Sequence, residues 1–244
     1  MGCKKSSKTT RLKEQRKWAL TVADKKRDAT RGLNAVELIR NHGPRVHFSL
    51  LDVADPASIA AFVAWFKDRF GQLDILVNNA AISFNGIHEN TVKHVEVVLK
   101  TNFYGPKLLI EALLPVFRCS TSKSRILNLS SRLGLINKVR NPKIRTILED
   151  EENLTAERIE GVLNLFTEHV NNGRWESEGW PETWTEYAVS KLALNAYSRL
   201  LAKRLKDCNI SVNCFCPGFT QTRMTGGKGS RTARAAASTA AALR

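Results

Sequence analysis

The chain has 244 residues, 43% hydrophobic and 25% charged, which supports one large domain or two small ones around a sizeable core; no apolar run approaches the ~18 residues that span a bilayer. Its 38 Lys and Arg against 23 Asp and Glu give a formal net charge of +15, but the excess sits at the ends: 11 basic and 3 acidic residues in 1–31, 5 basic and no acidic ones in 219–244, and 22 basic against 20 acidic between. That distribution argues against a basic groove built into the fold, and neither basic end interleaves the aromatic residues on which bases stack, so no nucleic-acid partner is expected.

In chain order, Val46 to Leu51 reads as a strand, and Asp55-Pro56 follows as N-cap and first turn of a helix. Ile59, Phe62, Val63, Phe66 and Phe70 form that helix's core face, and Gly71 ends it. Leu73 to Val77 is a nearly continuous apolar run, as in parallel strands buried on both faces. A long helical pattern covers 89–118, with a bend expected at Gly105-Pro106. Arg125–Leu129 is a further strand, Thr183–Lys206 a helix, and Ile210–Phe215 a fourth strand. Such alternation predicts an α/β fold with a parallel sheet.

Residues 132–186 break the alternation. Thr155 can cap a helix with Ile159, Val162, Leu163, Phe166 and Val170 on one face, and a loop with Trp175, Trp180 and Trp184 follows. Insertions after a strand's carboxyl end lie over the ligand crevice of such sheets, so the Trp cluster is either internal packing or a hydrophobic lid. Five scattered cysteines and five scattered histidines offer no zinc spacing; no metal is expected, and the thiols suit a reducing, cytoplasmic compartment. No secretory signal is present.

The chemistry centres on Tyr187-Ala-Val-Ser-Lys191. Residues four apart share a helix face, and an ammonium near a phenol would lower the phenol's pKa from about 10 and make it a usable acid/base. Polar groups also end several strands: Leu51-Asp52-Val53, Asn78-Asn79-Ala80, Ser130-Ser131, and Cys216-Pro217-Gly218-Phe219-Thr220-Gln221-Thr222, with Thr101-Asn102 inside the long helical run. Open α/β sheets bind ligands at those ends.

The order and spacing of these motifs over roughly 27–232 resemble the short-chain dehydrogenase/reductase family, and the 56 positions from Ser131 to Tyr187 resemble its plant branch of salutaridine reductase, neomenthol dehydrogenase and carbonyl-reductase-like enzymes. The resemblance implies a Rossmann-type, doubly wound parallel sheet with a helical insertion at 132–186. It also implies NADP(H), a small-molecule carbonyl substrate and a monomer. Tyr187 would donate the proton, Lys191 would tune it and hold the nicotinamide ribose, Ser131 would polarise the carbonyl, and Asn102 would hold a relay water. Arg27 would pair with the 2′-phosphate, Asp52 and Val53 would contact the adenine, Asn79 and Ala80 would lie along the cofactor, and Thr220 and Thr222 would approach the carboxamide and phosphate region.

Both ends depart from the family's pattern. A leader (1–26) lacks the strand and TGxxxGxG turn that cradle a pyrophosphate, and an Ala-rich tail (233–244) stands where a last strand should follow. The sheet is therefore expected to be incomplete at both ends, with either Trp18–Ala23 in the vacant central slot or an open sheet. The functional expectation is an NADPH-dependent reductase of a bulky apolar ketone or aldehyde, the alternative being a non-catalytic or impaired truncated reductase. Met1-Gly2-Cys3-Lys4-Lys5-Ser6 also fits an acylation pattern, so Gly2 or Cys3 could anchor the chain to a membrane.

Overall fold

A computed structural model describes residues 19–22, 29–40, 46–86, 88–117 and 123–242. Arg27, Gly2 and Cys3 lie outside these residues. Four parallel strands form one sheet in the order β1 (Ala19–Val22), β2 (Ile75–Asn78), β3 (Ser124–Leu129), β4 (Ile210–Phe215). Ala19 to Val22 pair in register with Ile75 to Asn78, so this segment takes the vacant slot beside β2, where it forms the edge of the described sheet.

Val46–Leu51, which reads as a strand in the sequence, forms none. A strand exists through the ladder it shares with a neighbour. Ala19–Val22 pairs with β2 through one edge, and Val46–Leu51 makes no ladder with its other edge or with any other strand among the described residues.

Two helices among the described residues precede β2; the second follows the sequence reading and the first is not expected from it. α1 is Ala29–Arg40 and α2 is Pro56–Phe70. Asp55 caps α2 by accepting from the Ala57 N–H, and Gly71, at φ 75°, ends it in a conformation that glycine adopts freely. Ile59, Phe62 and Phe66 are buried and Phe70 is half-buried. The long helical run is shorter and more broken than its periodicity predicts. It comprises α3 (Val95–Leu99), a π-helical turn over Lys100–Tyr104, and α4 (Gly105–Leu113). The wide turn sits directly before Gly105-Pro106. Proline has no N–H to give the Asn102 carbonyl the usual i+4 bond, which favours local rewinding there.

The insertion builds α5 (Pro142–Glu149) and α6 (Ala156–Asn171), the latter capped by Thr155 accepting from Arg158 N–H. α6 packs against α7 (Thr185–Arg204), the long helix after the Trp-rich loop. Trp180 is buried in this unit: its ring meets Phe166 edge-on at 4.9 Å, and its Nε1 donates to His169 Nδ1. One sheet face, with Leu76 and Ile126, is buried with α2, α4 and α7. Asn78, Asn128 and Ser198 form a buried hydrogen-bonded chain between the strands and α7. On the opposite face α8 (Ala233–Ala242), the Ala-rich tail, lies across Ile75, Val77, Leu127 and Phe215 with a cavity of about 610 Å³ between.

Candidate active site

The carboxyl ends of β3 and β4, the first turns of α7 and the segment after β2 enclose a cleft of about 760 Å³. Tyr187, Lys191 and Ser131 all line it, with Asn79, Thr220 and Thr222. The first three converge because α7 crosses the strand ends with its Tyr-Lys face toward them, and because β3 ends at Ser130-Ser131. Ser130 turns inward and donates to Asn195, while Ser131 caps a short turn by accepting from the Leu133 N–H and meets the Tyr187 phenol. The close pass of this turn over α7 requires a glycine: a Cβ on Gly134 would lie 2.5 Å from the backbone of Lys191 and Leu192.

Asn102 stands behind the cleft and is fully buried. Its side-chain amide is spent on the fold. Oδ1 accepts from Ile82 N–H at 2.8 Å, and Nδ2 donates to the Ile82 carbonyl and to Ser190 Oγ. The π-helical turn thus ties the segment after β2 to α7. Asp52 and Val53 do not line the cleft. Asp52 accepts from Ala54 N–H, and Val53 is buried with its carbonyl pressed against Gly105. Ala80 is buried after β2. Thr220 donates to the Pro217 and Gly218 carbonyls, and Thr222 caps the following turn.

The electrostatics differ from the sequence expectation. Burial raises the pKa of Tyr187, the nearby Cys216 thiol adds to the rise, and Ser131 works against it. Lys191 does not provide the expected lowering. Its Nζ donates to the Leu129 carbonyl at 2.9 Å, stands 5.5 Å from the Tyr187 ring centroid, and is itself pushed down to about 8 by burial. Tyr187 is therefore held as a neutral phenol, the form that can give up a proton.

Cys216 and Trp184 are among the cleft residues to which the sequence reading assigns no catalytic or cofactor role, although Trp184 belongs to the cluster read as packing or lid. Cys216 sits at the end of β4 within electrostatic reach of both Tyr187 and Lys191; its position at a strand end was the available signal. Trp184 is the member of the Trp cluster that reaches the cleft. It occupies the left-handed region at φ 50° and ψ 51°, a conformation costing a bulky residue roughly 1–3 kcal/mol that the surroundings must offset. Among the described residues no helix is long and apolar enough to cross a membrane, and no group of three or more His, Cys, Asp or Glu could hold a metal.

Comparison with known proteins gives the same picture. The family model for short chain dehydrogenase matches residues 12–142 and 177–233. The (+)-neomenthol dehydrogenase of Arabidopsis thaliana is 39% identical over 221 residues, 81% of this chain and 74% of that protein. Carbonyl reductase [NADPH] 1 of Mus musculus is 33% identical over 231 residues, 92% and 81% of the two chains. The structure of salutaridine reductase from Papaver somniferum superposes with a TM-score of 0.80 at 32% identity, covering 92% of this chain and 85% of that one. With a family model covering most of its length and relatives above 30% identity across it, this chain belongs to the short-chain dehydrogenase/reductase family.

Proposed function

We propose that this protein is an NADPH-dependent carbonyl reductase in which Tyr187 is the general acid, and that its substrate is a bulky apolar ketone or aldehyde. The observation that carries this reading is the convergence of Tyr187, Ser131 and Lys191 in one cleft at the strand ends. The names of the relatives, a neomenthol dehydrogenase and an NADPH carbonyl reductase, support the substrate class and the cofactor.

The residues present fit the nicotinamide end of such a cofactor. Lys191 is a buried ammonium whose one hydrogen bond among the described residues goes to Leu129, which leaves N–H groups for ribose hydroxyls. Asn79, Thr220 and Thr222 border the same cleft, and Ala80, Arg27, Asp52 and Val53 are assigned to the cofactor by family resemblance alone. A bound nicotinamide would supply the hydride chemistry. Ser131 would donate a hydrogen bond to the substrate oxygen and polarise it, while Tyr187 Oη delivers its proton to that oxygen. Any relay water behind Lys191 would need a holder other than the Asn102 side-chain amide, whose oxygen and nitrogen are engaged with Ile82 and Ser190.

The second reading, a chain with the catalytic residues but no usable phosphate cradle, rests on the lack of any glycine between Val22 and Arg31. Two measurements separate the readings. An NADPH-induced rise in melting temperature supports the reductase, and no shift at saturating cofactor supports the remnant. Tyr187→Phe should reduce turnover of a cyclic ketone by about 10²–10⁴-fold with cofactor affinity nearly unchanged. Undiminished turnover removes Tyr187 from the reaction. Packing of α6 along α7 supports a monomer, and we place the protein in the cytoplasm.

A further inference from the structure

The strained residue and the cleft meet at Trp184. Its Nε1 donates to the Gly86 carbonyl at 2.8 Å, across the cleft mouth on the segment after β2. Its ring meets the Tyr187 ring edge-on, with centroids 5.9 Å apart at 82°. Asn90, on that same opposite segment, holds the backbone beside it. Asn90 Oδ1 accepts from Thr185 N–H, and Asn90 Nδ2 donates to Thr185 Oγ1 and to the Glu182 carbonyl, all within 2.9 Å. One residue later the buried Glu186 carboxylate accepts from His94 N–H. These bonds join the first turn of α7 to the wall that carries Phe84, which also lines the cleft.

A large side chain in a left-handed backbone has few alternative placements, and this one is fixed at both its backbone and its indole nitrogen. The geometry points to Trp184 as the specificity-determining wall of the cleft and the positioning residue for the Tyr187 phenol, with Asn90 as the latch that holds it there. This inference rests on the reductase reading for its reaction but not for its geometry. A rigid indole edge beside the proton donor limits how wide a carbonyl substrate can be at its reacting end. A ring that fits under the indole is held against the phenol, and a wider one is excluded.

The test compares cyclohexanone with a 2,6-dialkyl cyclohexanone in wild type, Trp184→Gly, Trp184→Phe and Asn90→Ala. Glycine suits the left-handed backbone, so the truncation carries no backbone penalty. W184G should raise kcat/KM for the hindered ketone relative to the simple one by at least tenfold, mostly through KM. W184F keeps a ring edge on Tyr187 and should stay within about threefold of the wild-type preference. N90A should shift the ratio in the same direction as W184G but by less, because the indole keeps its own bond to the Gly86 carbonyl. An unchanged ratio in W184G, or an N90A ratio that does not move or moves the opposite way, overturns the assignment. If W184G does not fold, W184L makes the same comparison. Dissociation constants of the two ketones, measured by titration calorimetry without cofactor, give a readout independent of turnover. A wild type with no turnover but with the preference shift in binding removes the reductase reading and keeps the wall; turnover with no shift does the reverse.

Discussion

Lys191 is held in the fold as a buried ammonium, and replacing it with Met should make the protein more stable. Burial lowers its pKa from 10.5 to about 8, so at pH 7 the folded chain carries a desolvated ammonium at a cost of about 3 kcal/mol. The bond to the Leu129 carbonyl returns part of this, about 1–2 kcal/mol once the carbonyl would be left unpaired. Met fills a similar volume without charge, so the net gain in K191M is about 1–2 kcal/mol, or roughly 3–6 °C in melting temperature for a chain of this size. The sign with pH is fixed. Below about 8 the folded state must hold the charge and wild type bears the full cost; between about 8 and 10.5 the folded state sheds its proton before the unfolded one, and wild type gains on the variant. Tyr187 and Tyr197 also resist ionisation when buried, but both are present in each protein and cancel in the difference. Urea unfolding of both proteins at pH 7 and pH 9.5 measures this directly. A K191M protein less stable at pH 7, or a stability gap that does not narrow by pH 9.5, refutes the reasoning.

Three further substitutions probe the frame around the cleft. Gly105→Ala places a Cβ 2.5 Å from the Val53 carbonyl, and the crowding should outweigh the gain in helix propensity for a net loss of about 1–2 kcal/mol by chemical denaturation. Trp180→Ala removes a side chain that is 2% exposed, together with its edge contact on Phe166. It should cost about 3–5 kcal/mol while leaving the ketone preference unchanged, because Trp180 does not line the cleft. Asn102→Ala leaves the Ile82 backbone groups and the Ser190 hydroxyl without their partners. Hydrogen exchange should show faster opening of the segment after β2, with a loss of about 2–3 kcal/mol overall.

What could be read from the sequence was what depends on local periodicity and on residues that end strands. The Asp55 cap, the Ile59/Phe62/Phe66 face and the Gly71 stop are local features, and the structure has all three. Tyr187, Lys191 and Ser131 were legible because a helix turn and a strand end each position their side chains locally. The Val46–Leu51 strand failed because a ladder is not local: an apolar run makes a strand only if another strand pairs with it, and none among the described residues does here. The desolvation of Lys191 was equally hidden, since a free Tyr-Lys pair on a helix face suggests mutual ionisation, and only the surrounding packing reverses it. The Trp cluster posed lid against packing as one question. The structure divides the cluster, with Trp180 inside the insertion and Trp184 at the cleft.

The alanine helix over the bare sheet face is, mechanically, a smooth roller. Methyl groups at Ala236, Ala237 and Ala240 offer no knobs to lock into the strand surface below, and the cavity beneath them leaves room for travel. What holds the helix is at its start: Arg231, itself bonded to the Pro217 carbonyl, donates to the Ala235 carbonyl and to Thr239 Oγ1. The void it covers is bordered by Asn79, Thr220 and Thr222, which border the cleft of Tyr187 and Lys191 as well. Displacement of the roller would therefore act on one wall of the chamber where the proposed chemistry takes place, through the three residues the two cavities share.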